Sequence, residues 1–129
     1  MGCPIFFECK EKSGVLGLIT GDKEKLLQCL GSQFEELDAT KAEGAGEKHL
    51  PQVEVKDNLV IVTVGSVAHP MTEEHSINWI YLQTQEGSQL KKLSPGKEPK
   101  AEFALSKTDS PVAAFAYCNL HGFWKTSIS

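Results

Sequence analysis

Four histidines and one cysteine carry the chemistry open to this chain. His121 follows Cys118 by three residues, in Tyr117-Cys118-Asn119-Leu120-His121-Gly122. His69 and His75 bracket Pro70-Met71-Thr72-Glu73-Glu74, and His49 closes Glu47-Lys48-His49. Imidazole suits iron, copper and zinc, and a thiolate adds a soft, electron-donating ligand. Four imidazoles and one thiolate are one donor too many for a closed tetrahedral zinc site. The set therefore points to a redox metal with one open position. Taken singly, each piece has an ordinary reading: a coincidental Cys-x-x-His, a turn at His69-Pro70, a surface histidine at His49. Their joint presence in 129 residues favours ligation.

The spacing says how each donor could arrive. Cys118 and His121 are close enough to reach one metal from a single tight loop. Such a loop also aims backbone N–H groups at the sulfur and tunes the charge it donates. Pro70 suits the first position of a helical turn, and Glu73-Glu74 suits its N-terminal half. One turn of helix between His69 and His75 is therefore expected. His49 must come from a linker lying across the metal.

The elements that hold these loops read as β-strands. Gln52-Val53-Glu54-Val55-Lys56 alternates apolar and polar, and Asp57-Asn58 signals a turn. Leu59 to Val64 is a β-branched run expected to be buried on both faces. Strands are also expected over 76–84, 89–93 and 100–105. The alanine-rich stretch Val112 to Cys118 reads as a strand, because Pro111 starts it and Phe115, Tyr117, Phe123 and Trp124 continue an aromatic β pattern. The class is all-β, an antiparallel sandwich of about seven strands. Residues 1–38 differ, with Cys3, Cys9, Cys29, several glycines and weak alternation that includes Leu26 and Leu27. The small, charged stretch Thr40 to Gly46 marks a boundary, giving domains 1–38 and 39–129.

Bulk properties narrow the function. A formal charge of −4, with 13 lysines and no arginine, argues against nucleic acid as a partner. No run approaches the ~20 apolar residues of a membrane span, so no membrane association is expected. The N-terminal apolar stretch lacks a basic region and is too short for a signal peptide. The cytoplasm is the expected compartment, where thiols stay reduced and serve as ligands or buried groups.

The residues then carry a specific resemblance. Gly46-Glu47-Lys48-His49-Leu50-Pro51, Val67-Ala68-His69-Pro70-Met71 with Glu74-His75 and Trp79-Ile80, and Cys118-Asn119-Leu120-His121-Gly122 with Trp124 closely resemble the superoxide reductases. That family includes the neelaredoxins and desulfoferrodoxins. The resemblance runs from about Glu47 to Lys125, in the same order.

It implies one mononuclear, non-haem iron per chain. His49, His69, His75 and His121 would form its equatorial plane, and Cys118 would be the axial thiolate opposite an open site. His121 would bind through its δ nitrogen and the others through ε. Lys48 would attract superoxide and help organise protonation of the product. Glu47 would be the carboxylate able to take the sixth position of the ferric state. The implied fold is an immunoglobulin-like β-sandwich, the implied reaction is one-electron reduction of superoxide to hydrogen peroxide, and the implied donor is rubredoxin or a similar protein.

Residues 1–38 depart from the family's two-iron members, which hold a second iron with a Cys-x-x-Cys and a vicinal cysteine pair. Here Lys12 stands where a second cysteine would follow Cys9, and Leu30 follows Cys29. The resemblance implies a small desulforedoxin-like β domain without its own metal. The alternative is a site using Cys3, Cys9, Cys29 and a fourth ligand. The weak core of this domain favours a role in dimerisation, so a homodimer is expected. Two other functions compete. A cupredoxin-like electron carrier shares the sandwich and the ligand types, but no methionine follows His121 and five strong donors replace three. A non-catalytic metal-binding module leaves the extra donor and Lys48 unexplained.

Overall fold

The computed structural model describes residues 2–42 and 44–128. The chain divides into two compact units, Met1–Asp38 and Ala39–Ser129.

In the first unit, β1 (Phe6–Cys9), β2 (Val15–Gly17) and β3 (Phe34–Glu36) form an antiparallel sheet in the order β2-β1-β3. Between β2 and β3 lies a helix, α1 (Lys23–Leu30), which takes up the Leu26-Leu27 pair of the weak alternation. Its ends explain it. The Asp22 carboxylate accepts the Lys25 N–H at 3.0 Å, capping the first turn. Gly31, at φ 84°, closes the last turn by donating to the Leu27 carbonyl.

The second unit opens with a 3-10 turn (Ala39–Lys41) and a one-turn helix, α2 (Gly46–His49). Seven strands follow: β4 (Pro51–Lys56), β5 (Leu59–Val64), β6 (Ile77–Thr84), β7 (Ser88–Lys92), β8 (Lys100–Ala104), β9 (Pro111–Cys118) and β10 (Gly122–Ser127). They pair antiparallel in two sheets, β4-β5-β8 and β10-β9-β6-β7, the expected immunoglobulin-like sandwich. Asp57 turns the β4–β5 hairpin at φ 54°, a conformation its short side chain tolerates.

The core joins both sheets. Val60, Val62 and Val64 of β5 and Phe103 of β8 meet Ile80 and Leu82 of β6 and Ala114 and Ala116 of β9. Each fully buried aliphatic or aromatic side chain contributes roughly 1.5–3 kcal/mol of transfer free energy. β5 is not buried on both faces as expected. Leu59, Ile61 and Thr63 are only half-buried, because an antiparallel sheet can face water on one side. On β9 the other face carries Phe115 and Tyr117. In register they oppose Tyr81 and Trp79, whose rings lie 6.0 and 5.5 Å away.

Strand periodicity sets the site. Cys118 continues the inward row of Ala114 and Ala116, so its thiol is buried at the end of β9. Cys118 pairs with Gly122, which makes Asn119–His121 a three-residue hairpin loop. Gly122 ends that loop at φ 84°, the left-handed residue such a loop requires.

Candidate metal centre

Three segments meet at one end of the sandwich. α2 brings His49, the β5–β6 connection brings His69 and His75, and the β9–β10 turn brings Cys118 and His121. The helical turn expected between His69 and His75 does not form. Thr72 is the reason: its hydroxyl accepts the His75 N–H at 3.1 Å, and its own N–H donates to the His75 carbonyl at 3.0 Å. Side chain-to-backbone bonds of this kind replace a helix with a local turn. The one-turn helix lies instead at Gly46–His49, in the stretch expected to be linker.

The imidazoles form a ring of four. Neighbouring centroids are 4.6 Å apart for His49–His69, 4.7 Å for His69–His75, 5.1 Å for His75–His121 and 4.8 Å for His49–His121. All four neighbouring pairs meet near edge-on, and the His49–His75 diagonal is longer, 6.4 Å. His49 Nε2 lies 3.1 Å from both His69 Nε2 and His121 Nδ1. At a metal–imidazole distance of ~2.1 Å, two nitrogens at right angles would be about 3.0 Å apart. Cys118 Sγ stands further off, 4.0 Å from His121 Nδ1, and accepts the His121 backbone N–H at 3.4 Å. The donor atoms of His49, His75, Cys118 and His121 all lie within 4.8 Å of one another. His69 is outside that tightest group and joins it through His49.

Proton placement shows why this cluster needs a cation. His49 Nδ1–H donates to the Ala45 carbonyl and His69 Nδ1–H to the Pro70 carbonyl, each at 2.7 Å. Both Nε2 atoms are then lone-pair acceptors, facing each other at 3.1 Å with no proton between them. His75 Nε2 is buried with no hydrogen-bond partner. Burial pushes the pKa values of His49 and His75 down and that of His69 down to about 4. These three imidazoles are thus held neutral, the form that binds metal. Burial pushes the Cys118 thiol up, so metal uptake must drive off its proton. These donors fit a metal with imidazole and thiolate affinity.

Glu47 and Lys48 are exposed on α2 beside His49. The Lys48 charge adds to the lowering at His49 and His75, after burial and the neighbouring imidazoles. Two residues read in the sequence without a part in holding the ligands support the cluster. Trp124 stacks on His49 at 4.7 Å and 14°, and its Nε1–H donates to the His121 carbonyl at 3.1 Å. Asn119 accepts the Ser76 N–H at 3.0 Å and donates to the Glu74 carbonyl at 2.9 Å, clamping the loops on both sides of His75. An asparagine between two ligands was the only signal for the second. Cys3 and Cys29 are exposed and Cys9 is half-buried.

Comparison with known proteins agrees with this centre. The Desulfoferrodoxin family model matches residues 41–127. The desulfoferrodoxin of Nitratidesulfovibrio vulgaris is 48% identical over 99 residues, which cover 77% of each chain. A desulfoferrodoxin homologue of Archaeoglobus fulgidus is 37% identical over 93% of this chain and 94% of its own. The crystal structure of the superoxide reductase from Treponema pallidum superposes with a TM-score of 0.71 at 45% identity, covering 75% of this chain and 81% of that one. On the family model's match over residues 41–127 and these identities, the chain belongs to the desulfoferrodoxin family.

Proposed function

We propose that this chain is a superoxide reductase with one iron. The observation that carries the reading is the convergence of neutral, lone-pair-bearing imidazoles with a buried thiol at one end of the sandwich. The residues assigned to hold the iron are His49, His69 and His75 through Nε2, His121 through Nδ1 and Cys118 through Sγ. Iron held there would supply one electron; superoxide taking up one electron and two protons gives hydrogen peroxide.

The chain's own residues prepare the reaction. The Ala45 and Pro70 carbonyls fix two imidazole tautomers by accepting their Nδ1–H. The His121 N–H draws charge from the Cys118 sulfur and moderates its donation. Lys48 presents a positive charge to an incoming anion on a chain of net charge −4. Screening over ~8 Å mutes the remote negative charges and leaves the nearby lysine effective. Lys48 and water supply protons to the product. Glu47 is assigned as a carboxylate that would bind the oxidised metal. The cupredoxin-like and non-catalytic readings have less support, since neither uses all five donors.

The electron comes from rubredoxin or a similar small carrier, the working form is a homodimer, and the compartment is the cytoplasm. Among the described residues, no helix is long and apolar enough to cross a membrane. Residues 1–38 are assigned as a desulforedoxin-like unit without its own metal.

The test is a stoichiometric reaction of the reduced, iron-loaded protein with superoxide. One peroxide per iron oxidised, with no oxygen released from the reductive step, supports the reading. Oxygen evolution with catalytic consumption of superoxide, or no reaction, defeats it. Replacing Lys48 with isoleucine tests the steering role. A unit charge pair ~6 Å apart in water is worth about 0.7 kcal/mol, so the rate at low salt should fall about threefold and its salt dependence should flatten. An unchanged rate and slope would remove Lys48 from the mechanism.

A further inference from the structure

We infer that Gly65, with Ser66 and Val67, is a positioning element that fixes the Glu47–Lys48 segment beside the metal centre. This rests on the reading that Lys48 meets superoxide.

The turn that leaves β5 runs back beside α2 and its C-cap, Leu50, and makes three hydrogen bonds to two of their carbonyls. Gly65 N–H donates to the Leu50 carbonyl at 3.0 Å and Val67 N–H to the Glu47 carbonyl at 3.0 Å. The Ser66 hydroxyl donates to the same Glu47 carbonyl at 3.2 Å. Glu47 and Lys48 have exposed side chains, yet the peptide between them is held by a segment 19 residues away in sequence.

Gly65 makes the close approach possible. Its φ is 87°, in the left-handed region. A Cβ built there would lie 2.4 Å from the Val67 carbonyl oxygen, 2.7 Å from the Lys48 carbonyl oxygen and 2.8 Å from the Lys48 carbonyl carbon. All three are backbone atoms, with no flexible side chain to move aside. Any larger residue must push the Lys48 peptide away or break the turn. Val67 stands two residues before His69 in the chain. The bonds matter for function, because they hold the backbone that carries the Lys48 charge next to His49, where a nearby charge acts on an incoming anion.

The experiment compares iron-loaded wild type with Gly65→Ala, Ser66→Ala, Lys48→Ile and the Gly65→Ala/Lys48→Ile double variant. Two quantities are read: hydrogen exchange of the Val67 amide, and the salt dependence of the rate with superoxide. Gly65→Ala is expected to speed Val67 exchange about tenfold, the equivalent of one lost hydrogen bond. It should move the salt slope toward that of Lys48→Ile, and the double variant should be no slower than Lys48→Ile alone. Ser66→Ala adds no atom and should change both quantities in the same direction by a smaller factor. The iron content and the visible thiolate band should hold throughout. Wild-type Val67 exchange in Gly65→Ala overturns the proposal, as does a full salt slope there when Lys48→Ile has lost its slope. A wild-type slope in Lys48→Ile defeats the role of Lys48 instead, and Val67 exchange then decides alone whether Gly65 holds the segment. If Gly65→Ala does not fold, Ser66→Ala with wild-type exchange and slope overturns the proposal.

Discussion

Replacing Asn119 with alanine should loosen the iron while leaving every candidate ligand in the chain. The asparagine amide makes two bonds to the loop that carries His75: it accepts from Ser76 N–H at 3.0 Å and donates to the Glu74 carbonyl at 2.9 Å. Ser76 is only 2% exposed, so its freed N–H finds no water. A buried donor left without a partner costs about 1–3 kcal/mol, and the second bond adds about 0.5–1.5 kcal/mol. The loss of about 2–4 kcal/mol falls on the loop either side of His75. Part of it appears as lower stability of the metal-free protein. The rest appears as weaker binding, about 10–100-fold, the usual effect of removing a partner that orients a ligand. The assay is competition for ferrous iron against a calibrated chelator, with urea unfolding of the metal-free protein beside it. An affinity within twofold of wild type would refute the clamp, because the two ligand loops would then hold their register without it.

Two further predictions concern protonation and packing. The His69 pKa is pushed from the usual 6.5 to about 4, burial being the largest cause. Between those values the unfolded chain takes up a proton that the folded chain refuses, so the metal-free protein should lose stability as pH falls, by up to about 2 kcal/mol at pH ~5. Urea unfolding at pH 7 and 5 checks this, and equal stabilities would contradict the buried, neutral imidazole. Phe103 has no exposed surface in the core, and Phe103→Ala should cost about 3–5 kcal/mol while the folded fraction keeps its visible band; thermal unfolding with absorption detection reads both.

The candidate donors stood out in the sequence because metal ligation restricts residue type so strongly. Five donors at fixed positions, with Cys118 and His121 in one short loop, left few alternatives. The strands were legible through period-two alternation, and the alanines of β9 read correctly because aromatic residues and Pro111 outweighed their helical preference. Three features were hidden for separable reasons. α1 has eight residues and no buried side chain, so its two leucines resemble a strand fragment, although Asp22 and Gly31 marked its ends. The bend at Thr72 replaces a helical turn because a hydroxyl competes for backbone partners that a helix would use. The Asn119 clamp, the Trp124 stack on His49 and the Gly65 turn join residues remote in sequence, and no local pattern records such contacts.

The most direct test of the account is the metal content and visible spectrum of purified protein, taken reduced and again after one equivalent of superoxide. The account predicts one iron per chain, a broad thiolate-to-iron band that grows on oxidation, and one hydrogen peroxide per band formed. Copper with an intense blue band, zinc with no band, or iron that superoxide leaves unchanged would contradict it.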